Sequence, residues 1–116
     1  MTPFGKYMRN LRLEKGLLLK DVADRLQVTS AYLSALEHGK KGIPSKEFVE
    51  RIINGLALDA EAGKELKKAV RDSETEFTIP AKVTPFAFET ANAFARQLPS
   101  LSEIQLKRIK ELLDDE

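Results

Sequence analysis

Residues 16–39 read GLLLKDVADRLQVTSAYLSALEHG, and the spacing within this stretch decides the fold. Gly16 is placed as a helix stop, because a residue without Cβ accepts the left-handed conformation that ends helices. Val22, Ala23 and Leu26 then recur at helical spacing and predict a short helix. Gln27-Val28 makes the turn, with Gln27 where Gly or Asn would carry less backbone strain. Thr29 is placed to cap a further helix carrying Tyr32, Leu33 and Leu36, which Gly39 stops.

Two such helices form a helix-turn-helix under three conditions. A small residue must stand where they cross, an apolar residue in the turn, and inward positions three to four apart on the second helix. Ala23, Val28, and Leu33 with Leu36 supply these in turn. The outward face is then Ser30, Ala31, Ser34, Ala35 and His38. Those side chains are short or polar and allow close approach to base edges in a major groove.

Working outward, Thr2 can cap a helix whose first residue is Pro3, with Phe4, Met8 and Leu11 inward and Tyr7 beside them. Ser45 caps a fourth helix with Phe48, Val49, Ile52, Ile53 and Leu56 inward. Asp59 caps a fifth with Ala62, Leu66, Ala69 and Val70 on one face. Residues 72–84 break the pattern and read as a linker or a short strand at Phe77-Thr78-Ile79. Thr84-Pro85 opens a sixth helix carrying Phe86, Phe88, Ala91, Phe94, Ala95 and Leu98, which Pro99 ends. Ser100 or Ser102 starts a seventh, with Ile104, Leu106, Ile109, Leu112 and Leu113. The expected class is all-α: a five-helix domain over 1–71, residues 72–84 between, and a two-helix extension over 85–116 for dimerisation or partner binding.

Composition bounds what the chain can be. Hydrophobic residues make up 42% of the 116 and charged residues 32%, as in an ordinary globular protein. Cysteine is absent, so disulfides and thiolate metal sites are excluded. A single histidine does not make a structural zinc site, and no cofactor motif is present. No apolar run approaches the ~20 residues of a membrane span. Met1-Thr2-Pro3-Phe4-Gly5-Lys6 has no secretory core, so the expected location is the cytoplasm, at the bacterial nucleoid. Net charge is +1, yet residues 1–72 hold 14 Lys and Arg against 10 acidic residues, and 73–116 hold 5 against 8. That gap is as compatible with chance as with separate partners for a basic front and an acidic tail. Catalytic arrangements are missing as well, since no Cys, Gly-rich phosphate loop or HExxH helix occurs, and an enzyme is not expected.

Residues 5–58 resemble the XRE-type helix-turn-helix regulators, whose fold is that of the lambda repressor DNA-binding domain. The resemblance rests on Met8-Arg9-Asn10-Leu11-Arg12, Lys15-Gly16, Val22-Ala23-Asp24-Arg25-Leu26, Val28-Thr29 and Tyr32-Leu33-Ser34-Ala35-Leu36-Glu37-His38-Gly39. It is specific in combination and does not reach 73–116. It implies an ion pair between Arg12 and Glu37 that clamps the first helix to the end of the third. The sequence departs from the family at Leu18 and Leu19, where Ser or Thr usually caps the second helix and Gln binds a phosphate. Leucine neither caps nor donates a hydrogen bond.

The expected function is a sequence-specific DNA-binding transcriptional regulator of the repressor kind, acting on double-stranded operator DNA as a homodimer. Thr29, Ser30, Ala31, Ser34, Ala35 and His38 are the candidate DNA contacts on the third helix, with Lys40, Lys41 and Arg9 for phosphates. Phe77, Ile79, Phe86, Phe88, Phe94, Ile109 and Leu113 are the candidate dimer or partner surface. Two other readings stand beside it. One is an antitoxin whose tail holds a toxin, or a tail that holds a peptidase. The other is a helix-turn-helix turned protein-interaction module without DNA, for which Leu18 and Leu19 speak.

Overall fold

A computed structural model describes residues 1–114 of the chain, which form seven α-helices and one 3-10 turn. They are α1 (Pro3–Lys15), α2 (Leu19–Leu26), α3 (Ser30–Glu37), α4 (Lys46–Gly55), α5 (Ala60–Arg71), α6 (Pro85–Gln97) and α7 (Glu103–Asp114), with the 3-10 turn at Leu98–Ser100 after α6. No helix among the described residues is long and apolar enough to cross a membrane. The chain divides into two compact units, Met1–Phe77 and a second that begins at Thr78.

The helix ends of the first unit follow from local chemistry. Thr2, Thr29, Ser45 and Asp59 each accept a backbone N–H from the first turn of α1, α3, α4 and α5. Gly16 closes α1 at φ 65°. Gln27 takes the left-handed conformation at φ 59°, the strained position read from the sequence. At Leu18 the missing cap is half replaced: the Asp21 carboxylate accepts the Leu18 N–H at 2.8 Å. Leu18 itself is exposed, whereas Leu19 packs against the core.

The core consists of the residues that helical spacing selected. Phe4, Met8 and Leu11 of α1 meet Val22, Ala23 and Leu26 of α2, Leu33 and Leu36 of α3, Phe48, Val49 and Ile52 of α4, Leu56, and Leu66 and Val70 of α5. The pairs α1–α5, α1–α3, α2–α3, α2–α4 and α4–α5 are in contact. Polar ties lock the arrangement. Tyr7 donates its hydroxyl to Ala62 O at 2.9 Å, and Arg51 donates to Leu26 O at 3.1 Å.

The polar run after α5 is not uniform. Ser73 is buried: its hydroxyl donates to Ala69 O at 2.7 Å, and its oxygen accepts the Phe4 N–H at 2.8 Å. Ser73 therefore belongs to the first unit, although its polar neighbours suggested a linker. Phe77-Thr78-Ile79 forms no strand, so the alternation there does not report a strand within this chain.

In the second unit Thr84 caps α6, accepting from Ala87 N, with Pro85 as first residue. Ser102 and Gln105 form a reciprocal box at the start of α7, with bonds of 2.9 and 3.1 Å. No described residue of α6 or α7 is buried. Phe86 is 76% exposed and Leu113 71%.

Candidate nucleic-acid interface

The helix-turn-helix is α2, Gln27-Val28 and α3. Leu33 and Leu36 point into the core, which turns Ser30, Ala31, Ser34, Ala35 and His38 outward: Ala31 and His38 are exposed, and the other three half-buried. Thr29 sits exposed at the N-terminus of this face, and its Oγ1 accepts the Tyr32 N–H at 3.0 Å. Exposed His38 donates from Nδ1 to Ser34 O at 2.9 Å.

Gly39, at φ 77°, turns the chain sharply after α3 and delivers Lys40 and Lys41 to the surface. The tight turn is matched by packing: a Cβ on Gly39 would stand 2.9 Å from Thr2 Cγ2. Arg9 is exposed on α1. Tyr32, read from the sequence among the periodic apolar residues of α3, is 41% exposed and lies edge-on to Phe48 with ring centroids 6.1 Å apart.

α3 is held rigidly from behind. The Arg12 Nη2 and Glu37 Oε1 atoms are 3.3 Å apart, with side chains 14% and 2% exposed. Thr2 adds a second grip, donating from its backbone N–H and its hydroxyl to Glu37 O at 3.3 and 3.0 Å. Glu37 is therefore bound at both its carboxylate and its carbonyl. One carboxylate oxygen, Oε2, and Arg12 Nε find no partner among the described residues. Burial pushes the Glu37 carboxyl above its usual range, and Arg12, then His38, pull it back only in part.

A carboxyl raised by folding favours the folded state below the pH range where it titrates, and loses that contribution as pH rises through it. Removing Arg12 takes away the main opposing charge. Arg12→Ala is expected to cost about 2–3 kcal/mol at neutral pH, because the Glu37 carboxylate stays buried without a counter-ion. The gap to the unsubstituted protein should shrink between neutral and mildly acidic pH as Glu37 takes up its proton. Glu37→Gln, which removes the charge but keeps the shape, should cost less. Urea titrations at both pH values test this, and an Arg12→Ala gap independent of pH contradicts it.

Sequence reading missed three supports of this surface: Ser73 beneath the start of α1, the Arg51 bond to the end of α2, and Asp21 capping α2. Each is a common polar residue whose role depends on a distant or backbone partner, so spacing gives no signal for it.

A family described as a helix-turn-helix domain matches residues 3–66, and the chain belongs to that family. Its α1–α5 unit has the all-α, lambda-repressor-like arrangement that the XRE-type regulators share. The chain is 28% identical over 94 residues to the HTH-type transcriptional repressor RghR of Bacillus subtilis, covering 81% of this chain and 69% of that protein. It is 28% identical over 85 residues to the HTH-type transcriptional regulator SinR of the same organism, covering 61% and 77%. It is also 37% identical over 84 residues to the DNA polymerase IV of Listeria monocytogenes, covering 68% of this chain but 23% of that protein. The chain thus spans about a quarter of the length of such polymerase relatives. No solved structure matches it.

Proposed function

We propose that this chain is a DNA-binding transcriptional regulator that acts as a repressor on a two-fold operator. The observation that carries the reading is the outward face of α3. It is a row of short side chains, fixed from behind by the buried Arg12–Glu37 pair and followed directly by Lys40 and Lys41. In this reading α3 lies in the major groove. Ser30, Ala31, Ser34 and Ala35 approach base edges, and Thr29, His38, Arg9, Lys40 and Lys41 take phosphates. The relatives named as a transcriptional repressor and a transcriptional regulator support it. Leu18 and Leu19 stand where the family usually caps α2 and binds a phosphate, so the backbone contacts of this chain rest more heavily on Lys40 and Lys41.

A binding titration against the chain's own promoter at several salt concentrations tests the assignment. Lys40→Ala and Lys41→Ala are each expected to weaken specific and non-specific binding alike and to reduce the salt slope by about one unit. Ser34→Ala should cost about 1–3 kcal/mol on the specific site alone, with folding unchanged. Equal affinity for promoter and random duplex, with Ser30 and Ser34 both replaced at no cost, would remove base reading from α3. An absence of any salt-dependent binding would favour the protein-interaction reading.

A further inference from the structure

Away from α3, the first unit holds a cavity of about 380 Å³ lined by Ile43, Pro44, Val49 and Val70. Exposed Lys46, Lys67 and Arg71 line it too, together with Glu50. Glu50 is taken by Lys67, 3.5 Å away. Lys46 and Arg71 have no carboxylate at ion-pair distance among the described residues. An apolar floor beside two uncompensated cations suits an apolar side chain flanked by carboxylates.

The same chain carries such a segment, Glu74-Thr75-Glu76-Phe77. Glu74 and Glu76 are exposed, and Phe77, at 81% exposed, buries almost nothing within its own unit. The bond from Phe4 N–H to Ser73 Oγ holds the exit of α5 against α1, whereas the cavity opens where α5 meets α4 and the loop before it. Within the single chain the segment does not fill this cavity, since Phe77 stays 81% exposed and does not line it. We propose that Phe77 of one copy enters the cavity of a second copy, setting Glu74 and Glu76 against Lys46 and Arg71.

The inference rests on the homodimer reading. One aromatic ring and two surface ion pairs are too weak to join free chains. Once α6 and α7 join the copies, each segment meets its target at an effective concentration of about millimolar. The contact also bears on DNA, because Ile43 and Pro44 directly follow Lys40, Lys41 and Gly42. A segment docked there braces the loop that carries both lysines.

Photo-cross-linking of the full chain tests it. Phe77→p-benzoylphenylalanine is prepared in isotopically light and heavy forms, mixed, exchanged and irradiated. The expected product is a light–heavy peptide pair joining position 77 to residues 43–50 or 70–71. Cross-links within one chain alone, or to α6 and α7, overturn the proposal. Sedimentation of the same samples separates the two readings. A dimer without a cross-link to the cavity overturns the docking alone, and a monomer overturns the homodimer and the docking with it. Charge reversal checks the pairing. Lys46→Glu places an acid at the first residue of α4, where the helix dipole favours it, so folding is preserved. Lys46→Glu and Glu76→Lys are each expected to raise the dimer dissociation constant about threefold to tenfold. The two combined in one chain should restore it, and no recovery overturns the pairing.

Discussion

Gly5→Ala is expected to cost at least about 4 kcal/mol, enough to unfold much of the first unit at physiological temperature. Gly5 lies in the first turn of α1, where the helix crosses the end of α3. A Cβ built there would stand 2.0 Å from Glu37 O and 2.8 Å from Glu37 C. Both are backbone atoms, so no rotamer change relieves the clash, and α1 must lift from α3. Lifting it also breaks the two Thr2 bonds to Glu37 O and pulls Arg12 away from the Glu37 carboxylate. The substitution thus removes packing, hydrogen bonds and a buried counter-ion together. For a unit of this size the melting temperature should fall by about 15 °C or more. Gly63→Ala is the control. Gly63 is interior to α5, and a Cβ there would meet Ile53 Cδ1 at 3.6 Å, an ordinary contact. Replacing it should stabilise the protein by up to about 1 kcal/mol, since alanine suits a helix better. A melting temperature for Gly5→Ala within a few degrees of the unsubstituted protein would show that α1 does not rest on Glu37 O as described.

These two glycines mark how far the sequence can be read. Both stand inside helices, and nothing in the residues around them tells the immovable one from the replaceable one. The difference lies in which backbone passes overhead. The helices themselves were legible because their caps and apolar spacing are local: Thr2, Thr29, Ser45, Asp59 and Thr84 announce their helix starts from adjacent residues. The Arg12–Glu37 pair, 25 residues apart, was legible through family resemblance, and spacing alone could not have paired them. Ser73 was not legible at all. It stands in a polar run, and its burial depends on an N–H at Phe4, 69 residues away. The outward face of α3 followed from its inward face, since fixing Leu33 and Leu36 leaves few directions for Ser30, Ser34 and His38. The shape of the second unit was half legible, with two helices correctly spaced but no partner for their apolar sides.

That missing partner carries the second large effect. A chain ending at Phe77 is expected to stay folded, to sediment as a monomer, and to bind a palindromic operator about 10²–10⁴-fold more weakly than the full chain. Folding should survive because the core of α1–α5 is complete and Ser73 still caps it against Phe4. Ending the chain at Asp72 instead would remove that bond and confuse lost folding with lost dimerisation. Dimerisation should fail because α6 and α7 bring the large exposed apolar set. Phe86, Phe88, Phe94, Leu98, Ile104, Leu112 and Leu113 all remain open to solvent, although the two helices lie in one compact unit. A monomeric soluble protein gains nothing from leaving so many large apolar side chains of two short helices uncovered. A second copy would cover them symmetrically and at the same time supply the second α3 that a two-fold operator requires, about 34 Å from the first. The segment at Phe77 remains in the shortened chain but is too weak to hold two copies without α6 and α7. Leu113→Asp in the full chain should reproduce the loss, because a charge at a residue 71% exposed in the single chain harms the interface and not the monomer. Sedimentation and operator titration of both variants decide the matter. A shortened chain that still dimerises would place the interface in the first unit. A full chain that stays monomeric would instead give the apolar face of α6 and α7 to a foreign protein, as the antitoxin reading requires.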